Sequence, residues 1–346
     1  MPSSQSEALR ALVKSQVAPL FAARTPLEKQ RVIWESLSAI NDLSALIFLG
    51  NLLKRSPAFG TLLNFLTARP TLAKLQALLA ARPRPNRQIE YIKAENIKGE
   101  WVTTSESVPG QILYYLHGGG YFLGSARTYR NFVTALAKAT HREALALDYR
   151  LAPEHPFPAA LEDTIAGYRW LVNTRQIKPE QIVIGGDSAG GGLTLATLIA
   201  LREAGEPLPA AAVLLSPWTD HTFSGASFNN QAKVDPILTQ EGLQLHSQRY
   251  RGEANPTTPL ISPLYADLQG LPPLLIQVGS EELLLDDATR LAGRAKEAGV
   301  SVELQVGEGL WHVWQFFVAQ MPEAQQAVAN ISKFVTQNTS LQSGLQ

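Results

Sequence analysis

The sequence predicts an α/β protein: a mostly parallel eight-stranded sheet flanked by helices, with a helical cap. Three observations lead there. Short, continuously apolar segments alternate with helical stretches beyond about residue 89, which is how strands buried on both faces of a parallel sheet read. Residues 1–86 are instead rich in leucine and alanine at spacings of three and four, a helical period. Between the two, Arg82-Pro-Arg-Pro-Asn86 breaks helix and marks a boundary.

In the first region, Thr25-Pro26-Leu27-Glu28 combines an N-cap threonine, a proline at the first helical position and a glutamate two residues on. Asn41-Asp42 can cap a further helix, Ser56-Pro57 interrupts, and Pro70-Thr71 starts another that runs to about Arg82. No histidine occurs there, so residues 1–86 read as an N-terminal helical cap region. Ile89–Lys93 and Trp101–Thr104 read as an edge hairpin. The remaining strands are expected at 112–116, 144–149, 182–185, 211–216, 274–278 and 302–306. Helices are expected at 126–139, 158–173, 189–204, 286–299 and 322–335. The catalytic domain is thus expected over 87–217 and 261–340. The interval 218–260 is too long for a simple connection and reads as a cap insertion, helical around Pro236–Tyr250.

Composition narrows the function. The 346 residues are 45% apolar and 17% charged, and 30 basic residues balance 30 acidic ones. That balance offers nothing for nucleic acid to recognise. Residues 1–100 carry 14 Lys/Arg against 7 Asp/Glu, an excess read as the solvated faces of helices. The absence of cysteine excludes disulfides, thiolate catalysis and cysteine-ligated metals. The first residues lack the basic and apolar regions of a signal peptide. The longest apolar run, Leu43 to Leu53, is far short of the ~20 residues that span a bilayer. A cytoplasmic protein without a membrane span is expected.

The chemistry gathers on turns after strands. Gln181–Leu198 reads as strand, sharp turn and helix, and the turn carries Gly186-Asp187-Ser188-Ala189-Gly190. Glycines on either side of a serine on such a turn remove the Cβ atoms that would clash with the strand and helix. The amide of Ala189 falls at the helix N-terminus, where unpaired N–H groups and the helix dipole favour negative charge. A second turn, His117-Gly118-Gly119-Gly120-Tyr121, follows the strand Ile112–Leu116 and can turn backbone amides toward an anion. No Lys-Ser/Thr follows it, as a phosphate loop would require.

Together with Asp148-Tyr-Arg-Leu-Ala-Pro-Glu-His-Pro-Phe-Pro-Ala-Ala-Leu-Glu-Asp163, these motifs resemble the bacterial hormone-sensitive-lipase-like esterases, family IV of the α/β-hydrolase fold. The resemblance covers roughly residues 90–340. It implies a serine carboxylesterase for short- to medium-chain acyl esters, working through an acyl-enzyme with no metal or organic cofactor. Its partners would be a small ester and water, and two copies would pair through the sheet edge.

The family's order of serine, acid and histidine implies Ser188 as nucleophile. It implies His312, in Gly309-Leu-Trp-His-Val-Trp314, as base. The acid loop reads Gly279-Ser-Glu-Glu-Leu-Leu-Leu-Asp-Asp287. Aligning its final acidic pair with the family's Asp-Pro-Leu-x-Asp/Glu implies Glu282 where an aspartate is usual, with Glu281 and Asp286 as alternatives. The amides of Gly119, Gly120 and Ala189 would form the oxyanion hole. Asp148, Arg150 and Glu154 would brace the glycine loop, and Asp187 would point away from the triad. Tyr121, Phe223, Phe228 and Leu238 are candidates for the substrate pocket. Two other functions stay open: a lactone or amide hydrolase on the same machinery, and a non-catalytic small-molecule-binding protein. The plant gibberellin receptor, which resembles this family, is of the latter kind.

Overall fold

A computed structural model describes residues 2–14, 87–94 and 97–339. The helices expected between residues 15 and 86, with their Thr25 start and Arg82–Asn86 break, lie outside the described residues. Helix α1, Ser4–Leu12, is described, capped by the Ser3 hydroxyl accepting from the Ser6 N–H at 3.2 Å.

The strands β1 (Arg87–Ala94), β2 (Ile97–Thr104), β3 (Val108–Leu116), β4 (Arg142–Leu147), β5 (Ile182–Asp187), β6 (Ala211–Leu215), β7 (Leu274–Gly279) and β8 (Val302–Gly307) form one sheet. Its order is β1-β2-β4-β3-β5-β6-β7-β8. Only the β1–β2 and β2–β4 pairs are antiparallel; β4 through β8 run parallel. Five described helices lie between and after these strands: α2 (Ala126–Thr140), α3 (Ala159–Arg169), α4 (Ala189–Glu203), α6 (Leu285–Glu297) and α7 (Pro322–Asn338), while α5 (Gln240–Arg251) belongs to the segment after β6.

The period of two along each strand divides the core. Ile112, Tyr114 and Leu116 of β3 pack with Ile184, Leu214 and Ile276, and with Leu161, Leu198 and Leu291 from α3, α4 and α6. Leu113 and Tyr115 face the other way, with Val183, Val213 and Leu275, onto Phe132 and Leu136 of α2 and Ile331 and Phe334 of α7. Every residue of β5, β6 and β7 is buried, which is why these strands read as unbroken apolar runs rather than alternating ones. A third cluster joins Leu9 and Val13 to Leu310, Trp311, Trp314 and Met321, which seats the N-terminal segment against the end of the sheet.

Small departures from the sequence reading have local causes. β4 starts and ends two residues early, at Arg142 and Leu147. Beyond it, the Asp148 N–H donates to the Lys98 carbonyl at 2.8 Å while its carboxylate accepts the Ala126 N–H at 2.6 Å, at the start of α2. β6 ends before Ser216, which takes φ 46°. The helix expected over 158–173 keeps regular form only to Arg169 and then widens into a π turn at Trp170–Thr174. The segment 218–260 holds a one-turn helix, Ser227–Asn230, and α5, whose Leu243 and Tyr250 are buried in the main core. Among the described residues no helix is long and apolar enough to cross a membrane.

Candidate active site

Parallel strands deliver their following loops to one edge of a sheet, where ligands of open α/β sheets bind. Here β3, β5, β7 and β8 deliver the glycine loop, the serine turn, the acidic loop and the histidine loop to that edge.

Ser188 sits between β5 and α4 with φ 54° and ψ −122°, a conformation that L-residues seldom take. The turn is locked on both sides: the Ser188 N–H donates to the Leu215 carbonyl at 2.8 Å, and its own carbonyl accepts from Trp218 at 2.9 Å. A side chain on Gly190 would collide with the Leu116 and His117 carbonyls, and one on Gly186 with the Leu116 and Gly190 carbonyls. Both collisions are with backbone, so the elbow tolerates no Cβ at either place.

His312 lies in the loop after β8 and is 5% exposed. Its Nδ1 is 2.5 Å from Glu282 Oε2 and its Nε2 is 2.9 Å from Ser188 Oγ. With a carboxylate at Nδ1, the proton belongs on that nitrogen, which leaves Nε2 free to accept the serine hydroxyl's hydrogen. Burial alone would depress the imidazole's pKa; the Glu282 charge and hydrogen bond, aided by Asp235 and Asp187, outweigh it and hold the pKa above its ordinary value.

Glu282 is fully buried. Its second oxygen accepts from the Gly279 N–H at 2.7 Å and from the Ser216 hydroxyl at 2.8 Å. Ser216 in turn accepts the N–H of Val313, the residue after the histidine, at 3.1 Å. One hydroxyl therefore ties the acidic loop to the histidine loop. Asp235, from the segment after β6, accepts the Leu283 N–H at 2.9 Å and so holds the turn just past Glu282. Burial raises the Asp235 pKa to about 6, against the His312 charge and three backbone hydrogen bonds. Neither Ser216 nor Asp235 was singled out from sequence. Each lies in a different segment from Glu282, and no local pattern marks them.

The other two acids face elsewhere. Glu281 pairs with Arg10, and Asp286 accepts the Ser227 N–H at 3.0 Å. Asp287, beside it, takes the Thr219 and Asp220 N–H groups at 2.7 and 2.8 Å.

Gly119 and Gly120 have φ 109° and 62°. A Cβ at Gly119 would collide with the Leu123 carbonyl. Among the described residues, neither these two amides nor that of Ala189 donates to a protein acceptor, whereas the Gly119 carbonyl accepts from both Phe122 and Leu123. Asp148 and Arg150, expected to brace this loop, bond to the Ala126 N–H and to Asp163. The Asp187 carboxylate accepts the Gly118 N–H at 3.0 Å, and it also takes the Tyr115 and Tyr129 hydroxyls at 2.8 and 3.0 Å. Burial pushes its pKa up to about 6 even though those hydrogen bonds favour the charged form.

His117 is stacked on Tyr149 at 4.3 Å and its Nδ1–H donates to the Gly118 carbonyl at 2.8 Å. Burial lowers its pKa to about 4, with that hydrogen bond opposing, so it is neutral and structural. Of the residues expected to line a pocket, Tyr121 stacks on Tyr250 at 3.5 Å and Phe223 on Phe228 at 4.6 Å. Leu238 packs against the same core while half-buried.

This arrangement has clear relatives. Residues 113–316 match the model of a family described as α/β hydrolase fold. The chain belongs to the α/β-hydrolase family. Within that family it stands with the bacterial hormone-sensitive-lipase branch. An esterase of Acinetobacter venetianus is 39% identical over 269 residues, spanning 78% of this chain and 88% of the relative. An acetyl-hydrolase of Streptomyces hygroscopicus is 44% identical over 246 residues, 71% and 82% of the two chains. Among solved structures, an esterase from the bacterial hormone-sensitive lipase family superposes with a TM-score of 0.81 at 39% identity. That match covers 98% of this hydrolase and 99% of that chain.

Proposed function

We propose that this α/β-hydrolase is a serine carboxylesterase acting on short- to medium-chain acyl esters. The observation that carries the reading is the unbroken hydrogen-bonded file from Ser188 Oγ through His312 to Glu282. The names of the relatives, esterase and acetyl-hydrolase, support ester chemistry and a short acyl group.

In this mechanism His312 Nε2 takes the Ser188 proton as Oγ bonds to the ester carbonyl carbon. The carbonyl π electrons move onto oxygen, and that oxyanion rests on the amides of Gly119, Gly120 and Ala189. One such donor contributes about 100- to 1000-fold in rate. Glu282 holds the imidazole in the required tautomer and stabilises its cationic form. His312 then gives its proton to the departing alkoxide, leaving an acyl-serine. Water, deprotonated by the same nitrogen, attacks the acyl carbon, and the proton returns to Ser188 as the carboxylic acid leaves.

A fluorophosphonate probe tests the reading. It is expected to label the folded enzyme and to leave Ser188→Ala unlabelled. A folded wild-type protein that resists labelling would sink the serine-hydrolase reading. A panel of p-nitrophenyl esters from acetate to laurate, with lactones and anilides alongside, then reads the substrate class. Turnover should be highest at two to about six acyl carbons, and a preference for lactones or anilides would replace the ester assignment.

A further inference from the structure

The N-terminal helix reaches the acidic loop through one side chain. Arg10 of α1 pairs with the Glu281 carboxylate, and its other terminal nitrogen donates to the Val234 carbonyl at 2.9 Å. Each partner adjoins a residue of, or bonded to, the acidic loop. Glu281 immediately precedes Glu282, and Val234 immediately precedes Asp235, whose carboxylate holds the Leu283 N–H.

The same loop is joined to the histidine loop by backbone. The Glu281 N–H donates to the Leu310 carbonyl and the Ser280 N–H to the Gly307 carbonyl, at 3.0 and 2.9 Å; the Ser280 hydroxyl accepts the Gly309 N–H at 2.8 Å. Tension or slack at Glu281 is therefore passed both to the acid and to the loop carrying His312. The rest of α1 is anchored independently of Arg10. Glu323, in the first turn of α7, accepts from the Ser3 N–H and from the Ser3 and Ser6 hydroxyls, and Leu9 and Val13 are buried on Leu310, Trp311 and Trp314. Loss of Arg10 thus does not remove the helix's own seating.

We propose that Arg10 is a positioning residue. By gripping Glu281 and the Val234 carbonyl together it fixes the segments on both sides of Glu282, and so couples docking of the N-terminal helix to alignment of the acid with His312. This rests on Glu282 being the triad acid. The guanidinium suits the role because its planar fork can bind a carboxylate and a carbonyl at once, where a lysine offers a single point. The pair is partly exposed, at 26% and 32%, so the ionic attraction alone is modest. The geometric restraint on the acid carries most of the effect.

The test is steady-state hydrolysis of p-nitrophenyl acetate by the full chain, with melting temperatures alongside. Arg10→Ala should lower kcat by roughly five- to tenfold with KM within twofold and the melting point little changed, since misalignment of a catalytic group costs rate. Arg10→Lys should restore part of the loss. Arg10→Glu should be the most impaired, and Arg10→Glu combined with Glu281→Arg should recover activity toward that of Arg10→Ala or better. If Arg10→Ala keeps kcat within twofold of wild type, or if the loss is entirely in KM, the proposal is overturned. Should Arg10→Ala fail to fold, Glu281→Gln reads the same contact from the other side and is expected to give the same five- to tenfold fall. Glu282→Ala keeps the two claims apart. If that variant stays active, the acid assignment fails, whatever Arg10 does.

Discussion

The two halves of the site are built by different physics. The half that holds Ser188 and the three amides is made of backbone: a serine at φ 54°, glycines at positive φ, and positions where a Cβ would strike a carbonyl. The half that holds Glu282 and His312 is made of side-chain hydrogen bonds, with Ser216 and Asp235 reaching in from other segments. A backbone device is sensitive first to volume, although here the Asp187 carboxylate also holds the Gly118 N–H. A hydrogen-bonded device is the reverse, since a partner left unsatisfied in a buried place costs about 1–3 kcal/mol even when shape is kept.

That contrast can be broken in order of expected effect. Glu282→Gln keeps volume and removes charge, and kcat/KM should fall by about 1,000-fold or more. The wild-type acid limb of kcat/KM should lie above the ordinary imidazole value of about 6.5, because His312 must be neutral to take the proton and its pKa is raised. In Glu282→Gln burial should dominate, and the limb should move to lower pH. A pH–rate profile reads both, and an unmoved limb would contradict the assigned partner.

Gly190→Ala adds one methyl without changing polarity. It should cost about 3 kcal/mol through overpacking against two carbonyls and, by displacing the serine, about 100-fold in kcat. Thermal melting and kinetics check it. A variant of wild-type stability would show that the elbow can yield. Ser216→Ala, in the other half, removes one oxygen that bonds both Glu282 and the Val313 N–H. Steady-state kinetics should show a loss of about 10-fold in kcat with KM nearly unchanged. Asp286→Ala should be mildest, within about twofold in kcat/KM, since its carboxylate serves the Ser227 N–H in the segment after β6.

Legibility followed the same division. The strands and most helices were readable because burial on both faces writes continuous apolar runs, and turns such as His117–Tyr121 punctuate them. The serine elbow was readable because steric demands act on neighbours in sequence, so Gly186 and Gly190 must stand where they do. His312 and Glu282 were reached through resemblance and order, with Glu281 and Asp286 still open. Their separation needed coordinates, since all three carboxylates lie within six residues of one another and composition alone cannot say which one faces an imidazole.

The sequence by itself determined the sheet, its connecting helices and the turn at Ser188, because these depend on periodicity and local sterics. Tertiary structure alone decided that Asp187 holds the Gly118 N–H of the glycine loop. It also decided that Ser216 joins acid to base, that Asp235 holds the acid's turn, and that Arg10 reaches Glu281 from the other end of the chain. The physical reason is distance along the chain. A hydrogen bond between residues 48 or 66 positions apart constrains neither neighbour's identity through local conformation, so nothing in the surrounding sequence announces it.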